Sequence, residues 1–277
     1  MQPLELANTQ ARALAPHEFE SIRELAYRTF GLDLKPGKEE LVNARLGRLL
    51  RQGGFRSVQE YCNYVETDRT GQALAGLVDA LATNHTSFLR EPDHFEFLRA
   101  ELAGVLAKRE LVEIWTAACA TGEEAWTLSM VLNDAIGAVK VRITASDISR
   151  TALSYAQNAV YSLDRCRSLP EAWLERYFTA EGDPPNAYRV RDNMRAQVTF
   201  RRINLIRPIA RRRQFPAIFC RNVMIYFDRE VQGRVVAQLA ECLEPGGYLF
   251  IGHAESLTRI PHRLEYVRPA VYRKPDR

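Results

Sequence analysis

From about residue 111 this 277-residue chain alternates short apolar runs with segments of helical period, and that alternation limits its fold more than any other feature. LVEIWTAACA at 111–120 is a short apolar run, and EEAWTLSMVLNDAI after it has apolar residues on one helical face. VKVRITASD, ISRTALSYAQNAV, FPAIFC, a helical stretch from about Asp228 to Cys242 and GYLFIG continue the pattern. Strand, turn and helix repeated in this way predict an α/β fold with a parallel, doubly wound sheet, whose ligand lies at the carboxyl ends of the strands. The closing LEYVRPAVYRK reads as a pair of strands around Arg268-Pro269.

The segment before it has a different texture. Up to about residue 83 the spacing predicts only helices: one opened by Pro16 and closed by Gly31, and one from about Lys38 to Arg51 with Leu41, Leu46, Leu49 and Leu50 inward. A third has Ser57 and Glu60 as a capping box, and a fourth carries Leu74, Leu77, Val78 and Leu81. Residues from about 168 to 203 break the later alternation with short β-like runs around EGDPPN, which predicts a small antiparallel insertion. The expected division is therefore a helical domain at 1–83 and an α/β domain at 84–277 carrying that insertion.

Composition narrows the class. The chain is 46% hydrophobic and 26% charged, as a soluble protein with a real core would be, and no apolar run approaches the roughly 18 residues that span a bilayer. No basic segment followed by an apolar one opens it, so export and direct membrane insertion are not expected. Its five cysteines are odd in number and nowhere spaced as C-x-x-C, which fits a reduced, cytoplasmic setting. The net charge is +4, and arginine greatly outnumbers lysine, which suits an acidic partner.

Candidate chemistry gathers at the strand ends. In the turn Cys119 to Glu124, Gly122 lets a ligand approach the backbone, and the following helix offers free N–H groups. No G-x-G-x-x-G is present, so the dinucleotide fingerprint is absent. Asp147 ends the second strand, where an acid accepts hydrogen bonds from ribose hydroxyls; capping the next helix is its alternative role. Glu123 and Glu124 suit ligand contact or capping of the helix start better than proton transfer.

The stretches NHTSFLREPDHF, IWTAACATGEEAWTLSM, ASDIS, INL, FCRNVMIYFD and EPGGYLFIGHAESL together make the chain resemble the bacterial chemotaxis receptor methyltransferases of the CheR type. The resemblance implies a helical N-terminal domain, a Rossmann-like methyltransferase domain and a β insertion. It also implies S-adenosylmethionine as methyl donor, S-adenosylhomocysteine as product and no metal. Around the donor it places Asn84, Thr86, Arg90, Glu124, Asp147, Asn204, Leu205, Arg221 and Asn222, to which the turn adds Gly122 and Glu123. Tyr226 and Arg221 are the candidates for orienting the methyl group and the incoming carboxylate. The acceptors would be glutamates on chemoreceptor methylation helices, met by Lys38, Arg45, Arg48 and Arg51, with a receptor C-terminal tail as a second contact at the insertion. Nucleic acid is not expected: arginines at 201–202 and 211–213 leave an RNA methyltransferase as an alternative, but no aromatics are interleaved with them. A signalling module that binds the cofactor without turnover is another. The family usually has glycine before the cysteine of the first turn, where this chain has Ala118, with Ala120 following. Because alanine can occupy ordinary negative-φ conformations, the change need not abolish binding, and it bears on the tightness of that turn.

Overall fold

The protein is described by a computed structural model covering residues 14–137, 140–209 and 214–276. It divides into two compact units, one ending at Ala82 and one beginning at Thr83.

The first unit contains helices α1 (Pro16–Phe30), α2 (Glu39–Gly53), α3 (Val58–Thr67) and α4 (Gln72–Leu81). Their ends follow local rules. Pro16 occupies the first turn of α1, and Gly31 closes it at φ 77°, a left-handed cap that glycine reaches without steric cost. Ser57 Oγ accepts the Glu60 N–H at 3.1 Å, while the Glu60 carboxylate accepts the N–H of Arg56 rather than that of Ser57. In α2 the expected inward set is corrected: Leu46 is fully buried, but Leu41 is 45% exposed and Val42 is buried instead. Val42 stands one helical turn before Leu46, so it and not Leu41 shares the buried stripe.

In the second unit a seven-stranded sheet has the order β6-β2-β1-β7-β8-β10-β9. Strands β1 (Leu111–Ala117), β2 (Lys140–Asp147), β6 (Val198–Arg202), β7 (Phe215–Cys220) and β8 (Leu243–Phe250) are parallel. β9 (Glu265–Arg268) and β10 (Val271–Arg273) close the edge antiparallel. Three helices link strands: α7 (Glu123–Ile136), α8 (Arg150–Asn158) and α12 (Arg229–Cys242). The chain runs outward from β1 through β2 to β6, then returns to β7 on the other side of β1. The order therefore reverses between β1 and β7, which is where such sheets bind ligands.

One face of β1 and β2 presents Val112, Ile114, Val141 and Ile143, all packed with Leu128, Val131 and Leu132 of α7. Before β1 lies a helical stretch made of α5 (Asp93–Phe97), a π turn (Leu98–Leu102) and α6 (Ala103–Leu106). Phe95, Phe97 and Leu98 from this stretch join the same core.

The small antiparallel sheet exists, but not at the expected limits of about 168–203. It comprises β3 (Val160–Ser162), β5 (Ala187–Val190) and β4 (Phe178–Glu181), in the order β3-β5-β4. The short helices α9 (Leu163–Cys166), α10 (Glu171–Tyr177) and α11 (Asp192–Arg195) surround it. β6, which looked like part of the insertion, pairs with β2 in the main sheet, because Val198 and Phe200 alternate toward its core. Tyr161 ties the small sheet to the first turn: its hydroxyl accepts the Trp126 indole N–H at 2.8 Å and donates to the Thr121 carbonyl at 2.7 Å. Among the described residues no helix is long and apolar enough to cross a membrane.

Candidate functional site

The turn from β1 into α7 is built from left-handed residues. Ala118, Ala120 and Gly122 have φ of 66°, 48° and 95°. A Cβ on Gly122 would lie 2.7 Å from the Cβ of Ala156 and 3.0 Å from the Tyr161 hydroxyl, so no other residue fits there. Neither alanine takes the ordinary negative φ open to it. Within three residues the backbone must leave the strand, present the Ala120 N–H to Asp147 at 2.9 Å, and return the Gly122 N–H to the Cys119 carbonyl at 3.0 Å. Left-handed alanine costs about 1–2 kcal/mol, so Ala118→Gly is expected to raise folding stability by about 1 kcal/mol in a urea titration. A loss of stability instead would mean that residue 118 is not left-handed in solution.

Asp147, 6% exposed, holds this turn to the next loop. Its Oδ2 accepts the Ala120 N–H, and its Oδ1 accepts the Ser149 N–H at 2.9 Å. Ser149, not Asp147, caps α8, its Oγ accepting the Ala152 N–H at 3.0 Å. Asn84 reaches the same hydroxyl, with Nδ2 at 3.4 Å. β6 ends alongside, the Ile203 N–H donating to the Asp147 carbonyl at 3.0 Å. Asn204 follows, accepting the Ile206 N–H at 3.3 Å, and Leu205 is buried with its carbonyl held by Gln238 at 3.1 Å. Asn84, Gly122, Asp147, Asn204 and Leu205, distant in sequence, thus meet at the ends of three parallel strands. Thr86 is half-buried in the loop after Asn84, and Arg90 turns back onto the His85 carbonyl at 2.9 Å.

Arg221, at the end of β7, is 5% exposed and spans two carboxylates. Its Nη2 lies 2.9 Å from Glu91 and its Nη1 lies 2.8 Å from Glu124. The guanidinium also donates to the Arg90 carbonyl and stands 5.4 Å from the centre of the Phe95 ring. Glu124 in turn accepts the Thr116 hydroxyl at 2.6 Å. Burial pushes the Glu91 carboxyl up, but Arg221, Asn222 and the His253 N–H outweigh it and hold it below the usual range. A planar fork with donors on both sides is what joining two carboxylates requires, and lysine cannot supply it. Glu123 points elsewhere: its buried carboxylate binds Thr121 at 2.7 Å and Arg165 of α9, and burial raises it above its ordinary value.

Two acids central to this corner lie within the stretches NHTSFLREPDHF and EPGGYLFIGHAESL but were not among the expected site residues. Glu91 bonds Asn222 Nδ2 at 3.1 Å as well as Arg221. Glu255 accepts the backbone N–H groups of Gly252, Asn222, Met224 and Ile225 at 2.6, 2.9, 2.7 and 3.3 Å. One carboxylate therefore shapes the segment that carries Arg221, left-handed Asn222 at φ 57°, and the 3-10 turn Met224–Tyr226. Tyr226 is half-buried, and its neighbour Ile225 is 51% exposed. The sequence signal for Glu255 was its place in EPGGYLFIGHAESL, three residues after Gly252.

The donors of Glu91, His94 and His253 lie within 4.8 Å of one another, a grouping that sequence spacing did not suggest. The guanidinium already seated on Glu91 opposes a cation there. All five cysteines are buried and outside any disulfide, and burial pushes the Cys119 and Cys220 thiols up, against a role for those two as nucleophiles.

Residues 84–272 match the family model described as the CheR methyltransferase SAM binding domain, and residues 17–82 match the CheR methyltransferase all-alpha domain. The chain is 34% identical over 268 residues to a chemotaxis protein methyltransferase of Borreliella burgdorferi, covering 93% of this chain and 94% of that one. It is 37% identical over 262 residues to chemotaxis protein methyltransferase 2 of Pseudomonas aeruginosa, covering 92% of each. A chemotaxis protein methyltransferase of Escherichia coli is 34% identical over 273 residues, covering 96% and 94%.

Proposed function

The chain belongs to the CheR methyltransferase family, an S-adenosylmethionine-dependent methyltransferase of chemotaxis, and from that premise we propose that it esterifies glutamate side chains of chemoreceptors in the cytoplasm. The observation that carries this reading is correspondence over more than nine-tenths of the chain with chemotaxis protein methyltransferases, through both the helical and the α/β parts.

The donor set at the strand ends suits the nucleoside half of S-adenosylmethionine. Asp147 is the acid for the ribose hydroxyls, Asn204 and Leu205 adjoin the adenine side, and Gly122 keeps the turn close. Asn84, Thr86, Arg90 and Asn222 take the amino-acid end, with Glu124 and Arg221 behind them. Glu123, tied to Arg165, serves this set through the turn and not by contact. When bound, the donor supplies a sulfonium methyl group. The receptor carboxylate is already ionised at neutral pH, since a free glutamate side chain titrates at about 4.3, so no residue of the chain has to remove a proton. Transfer of that methyl to the carboxylate oxygen would leave the donor as a neutral thioether and the acceptor as a methyl ester. What remains for the protein is alignment, which can contribute about 7–11 kcal/mol.

Tyr226 carries part of that alignment from the segment that Glu255 holds. Tyr226→Phe is expected to lower the transfer rate roughly tenfold, the worth of one hydrogen bond of about 1.4 kcal/mol, with S-adenosylhomocysteine affinity unchanged. An unchanged rate would remove the hydroxyl from the chemistry. For docking, Lys38, Arg48 and Arg51 are exposed on or beside α2, whereas Arg45 donates to the Leu81 carbonyl at 2.8 Å at the end of α4. The first three suit the acidic methylation helices, and β3-β5-β4 suits a receptor tail by strand addition. Arg48→Glu with Arg51→Glu should weaken receptor methylation and flatten its salt dependence; unchanged kinetics would take α2 off the docking surface.

The deciding experiment incubates the chain with methyl-labelled S-adenosylmethionine and either receptor-bearing membranes or total RNA. Label on receptor that leaves as methanol in alkali is expected, since a carboxyl ester is base-labile and a methylated amine is not. Label on RNA, or base-stable label on protein, would overturn the reading. Arg201 and Arg202 are described and exposed, while Arg211, Arg212 and Arg213 lie outside the described residues.

A further inference from the structure

Parallel strands in doubly wound sheets are normally apolar on both faces, because helices cover both. Here β1, β2 and β6 break that rule on the face turned away from α7. They present Glu113 and Trp115, Arg142 and Thr144, Thr199 and Arg201. The connection from β6 to β7, residues 203–214, contains no helix among its described residues, and α12 packs on β8 instead. What results is an open groove of about 1080 Å³, with Asn204 in its lining.

Its lining is strongly one-sided in charge. Among the described lining residues, Arg142, Arg201, Arg202 and Arg207 are joined by one acid, Glu113, which lies opposite Arg142 in the strand register and pairs with it at 2.9 Å. Beneath them lie the buried rings of Trp115 and Phe215 and the half-buried side chains of Ile203 and Ile209. Guanidinium forks at a groove rim grip phosphate oxygens in pairs, and an apolar floor between them accepts a planar base. The volume stands at the upper end of ordinary small-molecule pockets, more suited to one compact ligand than to a long helix.

We propose that this groove is a second binding site, separate from the methyl-donor crevice, and that it takes a nucleoside polyphosphate. Arg142 and Arg201 grip the phosphates from neighbouring strands, and contact at Asn204 places the ligand next to the adenine side of the crevice.

The test is equilibrium dialysis of the full chain with labelled ATP, repeated with inorganic pyrophosphate as competitor, for the wild type, R142Q/R201Q and Thr199→Glu. ATP should bind the wild type and be displaced by pyrophosphate. Both variants should weaken it at least tenfold while their melting curves and S-adenosylhomocysteine affinity stay unchanged. No ATP binding at millimolar concentration would overturn the proposal, as would binding indifferent to both variants. One-to-one displacement of ATP by S-adenosylhomocysteine would also overturn it, by placing ATP in the crevice. So would tighter arginine-dependent binding of poly-glutamate or RNA, by making the groove a surface for those polymers. Since ATP binding is read directly, failure here leaves the methylation assay untouched, and the reverse holds as well.

Discussion

Arg221→Leu is expected to cost about 3–5 kcal/mol of folding stability and to leave no measurable methyl transfer. The size follows from what the arginine leaves behind. Its side chain is only 2% exposed, and the two carboxylates it joins are at 13% and 12%. Without it, Glu91 and Glu124 face each other in a nearly dry corner with no cation between them. Arg221→Lys should recover little, because one ammonium cannot meet both carboxylates and the Arg90 carbonyl together. A triple variant in which Glu91 and Glu124 also become glutamine should regain much of the lost stability, though not the activity. Urea titrations of the three proteins provide the check. Additive losses in the triple variant would mean that the three side chains do not form one network.

Acid should weaken the fold through His94 by up to about 3 kcal/mol between pH 6.5 and pH 4. Its ring is fully buried, and neither nitrogen has a hydrogen-bond partner among the described residues; the Glu91 carboxylate lies 3.6 Å from Nδ1. Burial, then the Arg221 charge, drives its pKa down to about 4, against smaller opposing pulls from Asp93 and Glu91 and a further downward push from His253. The folded ring therefore stays neutral where the unfolded one takes up a proton. Stability is complete above pH 6.5 and falls as pH drops toward 4, where the folded ring also protonates. Glu91, held low, adds a loss only below its usual range. His94→Leu should be close to neutral at pH 7, since it removes polar atoms that bond nothing, and should abolish the upper part of the acid loss. Melting curves at pH 7, 5.5 and 4.5 read this directly; equal slopes for both proteins would show that His94 does not stay neutral in the fold.

How much of this was legible beforehand depended on the range of the interaction. Periodicity in LVEIWTA, KVRITASD and FPAIFC predicted parallel strands because burial of alternate or successive residues is a local pattern, and those strands are present. Position along the chain could not assign β6, since VTFRR reads as a strand wherever it pairs. Leu41 was misplaced by one residue because a leucine and a valine stood next to each other, and only the packed helix selects between them. Alanine gives no hint of left-handed backbone, so the geometry of Ala118 and Ala120 emerged only with the folded turn. The site was legible unevenly. Asp147 marks a strand end, and strand ends can be read, whereas Asn204 came from the family resemblance alone. Glu91 and Glu255 act on partners 130 and 33 residues away, and no spacing rule reaches that far.

All of this centres on one crevice, in which the turn 118–122, Asp147 and Asn204 would hold the nucleoside and the Glu255-shaped segment would present Tyr226. A crystal of the chain grown with S-adenosylhomocysteine tests it most directly. The account predicts the ribose hydroxyls on the Asp147 carboxylate, the adenine beside Asn204 and Leu205, and the sulfur toward Tyr226. The molecule bound elsewhere, with no ribose hydroxyl on Asp147, would contradict it.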